Sequence, residues 1–235
     1  MPTPPLSVAP NGSVLVIEAA TSAGSIALLE RATSADAWRL VAERPVSMGS
    51  GREDLLTPAI RALLADAGLS LAAVCALACG AGPGSFTSLR IAAALTKGLA
   101  FARELPVFAL PSLLLALPPS PEGAPLPGRY LLALDALRGE CFVQPAVVTS
   151  DGRVLPDGEA GRVPREALPA WADGGTLVEI AIEAGVHPQA SAARWLDDWS
   201  RFGPVDLDVW EPAYGRLAEA QVKWEAAHGR ALPAS

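Results

Sequence analysis

Hydrophobic residues come in short runs whose period changes along the chain. VLVI at 14–17 is continuous and apolar, the pattern of a strand buried on both faces. Glu18 and the turn AATSAG follow, and runs at 25–29 and 39–44 complete a predicted meander. Beyond Gly49 and Gly51 the period lengthens. Leu56, Ile60, Leu63 and Ala67 fall at i, i+4, i+7 and i+11, predicting a helix over 54–67 that ends at Gly68. Pro58 fits only in its first turn, which makes Thr57 a candidate N-cap. A short apolar run at 74–79 leads into GAGPGSFTS and a helix over 86–103, with Ser85 as N-cap. Pro106 stops that helix, and 107–110 reads as a strand. Alternating strands and helices after a meander predict an α/β fold.

The second half is less regular. PPSPEGAPLPG at 118–128 reads as a surface loop. Runs at 130–134 and 141–148 flank DALRGE and predict a second hairpin. Residues 152–175 mix Gly, Pro and charge and predict no element, whereas 189–202 predicts a helix carrying Trp195 and Trp199 at i and i+4. Each hairpin has an acid at its bend, Glu18 or Asp135, which hints at two related halves.

Composition narrows the function classes. The 235 residues are 51% hydrophobic, with mean hydropathy +0.31, which excludes general disorder. No run approaches the ~18 apolar residues of a spanning helix, and the first residues lack the basic and apolar regions of a secretory signal. Eighteen basic and 25 acidic residues give a net charge of −7, and the lysines are Lys97 and Lys223 alone. Without a basic cluster, RNA in this protein's pathway is expected to be held by another subunit. Three cysteines, an odd number, fit reduced thiols of a cytoplasm. Cys75 and Cys79, four apart on one strand, are expected to share a core face. His187 and His228 lie far apart and outside the candidate sites, so no zinc pair and no base for a Ser–His–Asp triad is expected, and a metalloprotease is set aside.

The candidate chemistry sits in two segments. Gly80, Gly82 and Gly84 precede a helix N-terminus, which fits either an anion-binding loop or a tight turn that needs glycine for geometry. No Lys follows them, so the loop is not that of a P-loop NTPase. Glu18 and Asp135 read either as cleft acids for a metal or water, or as turn acceptors. On the helix over 86–103, Arg90, Lys97 and Glu104 fall seven apart and form one narrow polar stripe. So little polar surface fits a helix held between its own sheet and a partner chain, or one covered by other parts of the same chain.

Several of these segments resemble one known family. VLVIEAATSAGSIALLE, GAGPGSFTSLRIAAALTKGLAF, the stretch at 105–116, LALDALRGECF and EPAYGR occur in the order of the motifs of the bacterial TsaB (YeaZ) family. The resemblance implies an α/β fold of the actin/Hsp70/sugar-kinase (ASKHA) type, with two subdomains, each a mixed sheet flanked by helices. The units expected are a flexible tail at 1–13, an N-terminal subdomain at 14–110, a C-terminal subdomain at 111–216 and a tail at 217–235. It implies a non-catalytic cytoplasmic scaffold without a cofactor or membrane contact, acting with the threonylcarbamoyl transferase TsaD and the ATPase TsaE. That complex forms N6-threonylcarbamoyladenosine beside the anticodon of tRNAs reading codons that begin with A. ATP and magnesium belong to the partner subunits, tRNA is met only through the complex, and a homodimer is a further expected form. A vestigial phosphate cleft would comprise Glu18, Thr21, Gly82, Gly84, Ser85 and Asp135. The partner interface would comprise Leu55, Ala59 and Ala62 on one helix and Arg90, Ala93, Ala94, Lys97 and Phe101 on the other. The chain departs from the family at Glu18 (usually Asp), at Arg52 or Glu53 (often His), at Ser88 and Ala92 (both usually Gly), and at Leu137 (usually Arg). Larger groups near the loop are expected to crowd a phosphate. The alternative function is an ATP-dependent phosphotransferase of the sugar-kinase type using Glu18 and Asp135.

Overall fold

A computed structural model describes residues 12–31, 38–48, 55–121 and 123–214. The predicted meander is present as β1 (Ser13–Glu18), β2 (Ala23–Arg31) and β3 (Trp38–Ser47). Next come α1 (Leu56–Asp66), β4 (Val74–Gly80), α2 (Phe86–Arg103) and β5 (Val107–Leu110). They form a mixed sheet of order β3-β2-β1-β4-β5, antiparallel on the meander side and parallel on the other. β1 is buried along its whole length. Leu15 and Ile17 face α1 and α2, packing with Leu56, Ile60, Leu63, Ala92 and Ala100. Val14 and Val16 face the other way, into a core shared with the second half.

The second sheet is built from β6 (Gly128–Leu137), β7 (Glu140–Val148), β8 (Val154–Pro156), β9 (Gly161–Pro164) and β10 (Thr176–Ile180). Its order is β10-β6-β7-β8, with β9 also on β7. Here too an antiparallel hairpin, β6–β7, has a parallel strand on its other side. The short α3 (Leu168–Ala172) covers its outer face through Leu168, against Leu131 and Val143. The core between the sheets joins Val16 and Leu29 to Leu132 and Phe142 through the 3-10 turn Ser112–Ala116. The molecule is thus α/β, with two mixed sheets flanked by helices. Among the described residues no helix is long and apolar enough to cross a membrane.

Four local expectations are corrected. Leu55, not Thr57, is the N-cap of α1, and Pro58 lies inside the first turn, where its missing N–H costs nothing. Residues 189–202 are not one α-helix but two 3-10 turns, Ala190–Trp195 and Trp199–Phe202. Leu196 is extended between them and bridges Val154, while Asp198 caps the second turn through the Ser200 N–H. The buried Trp199 then lies against Trp38, with ring centroids 4.8 Å apart. Cys75 and Cys79 do not share a face. The register slips between Ser13↔Val74 and Val14↔Ala76, so Cys75 is an extra residue that flips the alternation. Cys75 packs against the inter-sheet core and Cys79 against the helix side. Residues 152–175, unassigned from sequence, supply β8, β9 and α3. Gly49, Gly51, Arg52, Glu53, Lys223, His228, residues 1–11 of the expected 1–13 tail and the expected tail at 217–235 lie outside the described residues, and Ser13 of the first tail belongs to β1.

Candidate functional site: a cleft between two sheets and a bare helix face

β1 and β4 run side by side and deliver Glu18 and Gly80 to the same end of the sheet. Glu18 turns inward: its Oε1 accepts from the Ala20 N–H at 2.6 Å, and the residue is 0% exposed. A Cβ on Gly80 would lie 1.9 Å from the Glu18 carboxylate. Gly82, with φ +87°, faces the Ala213 carbonyl, and Gly84 faces the Ala20 carbonyl, at 2.4 and 2.2 Å from an added Cβ. Each loop glycine is therefore required by a close approach of the chain itself. The partner of Gly82 comes from the far end of the sequence, where Ala213 N donates to Ala81 O at 2.7 Å. Short-range patterns could not show that partner, although the EPAY motif marks the place. Ser85 is the N-cap of α2; its hydroxyl lies 3.0 Å from that of Ser88.

A cleft of about 450 Å³ opens between the two sheets, lined by Thr21, Gly84, Ser85, Asp135, Arg165 and Glu179 among others. Four of the six expected cleft residues meet there; Glu18 and Gly82 are buried behind it. Asp135 accepts from the Leu137 N–H at 2.9 Å, so it is a turn acceptor in the β6–β7 bend. Leu137 and Arg138 take left-handed conformations in that bend. Sequence reasoning missed Arg165, which bonds Glu179 at 2.6 Å and stands 3.8 Å from Asp135. Among the described residues, no three His, Cys, Asp or Glu side chains gather as a metal group.

Burial pushes the Glu18 carboxyl up to about 7 from 4.5, and the Ala20 N–H and Ser112 hydroxyl pull it part of the way back. The folded protein holds a proton that the unfolded chain releases between these values. Stability is therefore highest below the lower value and falls as pH rises through the higher one. The whole shift corresponds to roughly 3 kcal/mol. Urea denaturation of the native protein is expected to show a loss of this order between about pH 5 and pH 8, a loss that Glu18→Gln removes.

α2 offers a second site. Leu89, Ala92, Ala93, Thr96 and Ala100 are buried in the protein's own core. Thr87, Arg90, Ile91, Ala94, Gly98 and Phe101 form the opposite face and are exposed. Phe101 is 86% and Ile91 42% exposed, and a Cβ added to Gly98 meets nothing within 4 Å. Of the expected interface residues, Leu55, Arg90, Ala94 and Phe101 are exposed, and Ala59 and Ala62 are half-buried on α1. Ala93 is corrected: it is 4% exposed, on the inner side of α2, and is closed to a partner. Lys97 is engaged at the edge, 3.3 Å from Glu211 and over the Trp210 ring.

Two matched halves, an antiparallel hairpin and parallel partner in each sheet, and a cleft between them define a protein of the actin/Hsp70/sugar-kinase class. The family of the tRNA N6-adenosine threonylcarbamoyltransferase TsaD matches residues 50–155, which include α1, the glycine loop and α2. The tRNA threonylcarbamoyladenosine biosynthesis protein TsaB of Haemophilus influenzae is 48% identical over 58 residues, 25% of each chain. Its Escherichia coli counterpart is 37% identical over 89 residues, 37% of each chain. These matches thus span between a quarter and about a third of the length of the curated relatives. Two solved structures from Pseudomonas aeruginosa extend the likeness across the fold. An uncharacterized protein with similarity to the peptidase YEAZ has TM-score 0.68 and 26% identity, covering 87% of this chain and 100% of its own. YeaZ itself has TM-score 0.66 and 26% identity, with 86% and 99% covered. In sequence over these stretches, and in fold over most of its length, the chain is similar to the TsaB/YeaZ proteins.

Proposed function

We propose that the chain is a non-catalytic scaffold in the formation of N6-threonylcarbamoyladenosine on tRNA. It docks onto the threonylcarbamoyl transferase TsaD, a partner that carries the chemistry and works with the ATPase TsaE in the cytoplasm. The observation that carries this reading is the apolar outer face of α2, where Ile91, Ala94, Gly98 and Phe101 are exposed in the isolated chain. Small residues at its centre let a partner helix come close, with Phe101 as an aromatic anchor at one end. Leu55, at the start of α1, is exposed as well, and the net charge of −7 fits a subunit that meets tRNA only through the complex. The same face accommodates a second copy of the chain, the expected homodimer, which the transferase displaces.

The phosphotransferase reading is disfavoured by the buried Glu18, which cannot reach a nucleotide in the cleft, and by Asp135, which is held in its turn. ATP and magnesium are accordingly assigned to the partner subunits. Calorimetric titration of the isolated chain with Mg-ATP is expected to give no micromolar binding; such binding would favour a kinase. The direct test of the scaffold is co-purification with TsaD and TsaE, followed by tRNA modification with and without this chain. Modification that proceeds equally without it would overturn the proposal.

A further inference from the structure

Away from the cleft, a cavity of about 90 Å³ lies between the 3-10 turns Ser112–Ala116 and Ala190–Trp195. Gln189 N donates to Leu115 O at 2.9 Å and ties its walls together. Leu117, Pro119, Val186 and Trp195 make much of the lining apolar. The side chains of Arg194 and His187 also line it. Arg194 Nη1 and His187 Nδ1 are closed off from solvent and have no hydrogen-bond partner among the described residues. A buried guanidinium N–H left unpaired costs on the order of 1–3 kcal/mol, a cost that an acceptor seated in the cavity relieves. The Arg194 guanidinium stands 5.0 Å from the Trp195 ring centroid, within cation–π range. Burial lowers its pKa, and the Glu43 charge offsets this in part. Glu43 is itself engaged, with its Oε1 accepting from Ser191 N at 3.2 Å.

We propose that this cavity binds a small carboxylate anion, its oxygens held by Arg194 and His187 and its short aliphatic part by the apolar wall. A cavity of about 90 Å³ has room for a small carboxylate such as acetate. A carboxylate matches the guanidinium fork. Phosphate has more charged oxygens than two side chains satisfy. The loop that walls the cavity through Gly185–Gln189 also borders the cleft between the sheets through Ala181–Glu183, and Ala181 pairs with Val186 between them. A bound anion therefore braces one lip of the cleft.

The test is titration of the full chain with sodium acetate against sodium chloride at equal ionic strength, followed by NMR of the Trp195 indole and Arg194 guanidinium N–H signals. Saturable shifts in the millimolar range are expected. They are lost in Arg194→Gln and weakened ~10-fold, about 1.4 kcal/mol, in His187→Phe. Should Arg194→Gln fail to fold, Arg194→Lys keeps the charge without the fork and is expected to weaken acetate as well. Shifts that never saturate, that persist unchanged in the Arg194 variants, or that saturate with inorganic phosphate and not acetate would overturn the proposal.

Discussion

Ala94→Arg is expected to abolish co-purification with TsaD while leaving the isolated chain folded. Ala94 lies on the outer face of α2, one turn from Ile91 and one from Gly98, with open space beside Gly98. In the isolated chain a long cationic side chain there is solvated, and exposed substitutions of this kind shift stability by about 0.5 kcal/mol or less. In a close helix–helix contact the same side chain brings bulk and an unpaired charge into the centre of the interface. An affinity loss of ~100-fold or more, about 2.7 kcal/mol, is expected by calorimetry, with an unchanged melting temperature. Phe101→Asp is expected to act similarly from the end of the patch. Ala93 makes the contrast: a charge there enters the protein's own core, so a loss of binding would report only misfolding. Wild-type affinity in both Ala94→Arg and Phe101→Asp would remove α2 from the interface.

Gly84→Ala is expected to have the largest effect on the fold itself. Its Cβ would stand 2.2 Å from the Ala20 carbonyl oxygen and 2.8 Å from the carbonyl carbon. Those are backbone atoms at the end of β1, so no side-chain rotation relieves the clash. The carbonyl also accepts from Ser85 N at 2.7 Å, the bond that joins the loop to the start of α2. Overpacking costs up to ~3 kcal/mol, and losing that bond adds about 1. Urea denaturation is expected to show a destabilisation of ~4 kcal/mol. Gly98→Ala, in open space on a helix surface, is expected to raise stability by up to ~1 kcal/mol. A Gly84→Ala protein as stable as wild type would mean that the loop does not pack as described.

The elements legible in the sequence were those with a strong local period. β1, β2, α1 and α2 follow from their apolar runs, and the β6–β7 hairpin follows from two runs around DALRGE. What escaped depends on distant contacts. The extra residue at Cys75 has no local signal, because only the pairing with β1 creates the slip. Trp195 and Trp199 have helical spacing, yet the strand-like bridge of Leu196 to Val154 breaks the helix. The glycine loop fits two readings from sequence, an anion-binding loop or a tight turn, and the groups that crowd it are Glu18, Ala20 and Ala213 of the same chain. Adjacent alanines at 93 and 94 cannot be told apart by type. Only the seating of α2 on the sheet turns one inward and the other out.

The central claim is that the outer face of α2 is a docking surface for the transferase. Hydrogen exchange of this chain, alone and mixed with TsaD, tests it most directly. Slowed exchange concentrated in peptides spanning 55–66 and 86–103 is the expected result. Slowed exchange confined to the second sheet, with α2 peptides unchanged in a complex that demonstrably forms, would contradict it.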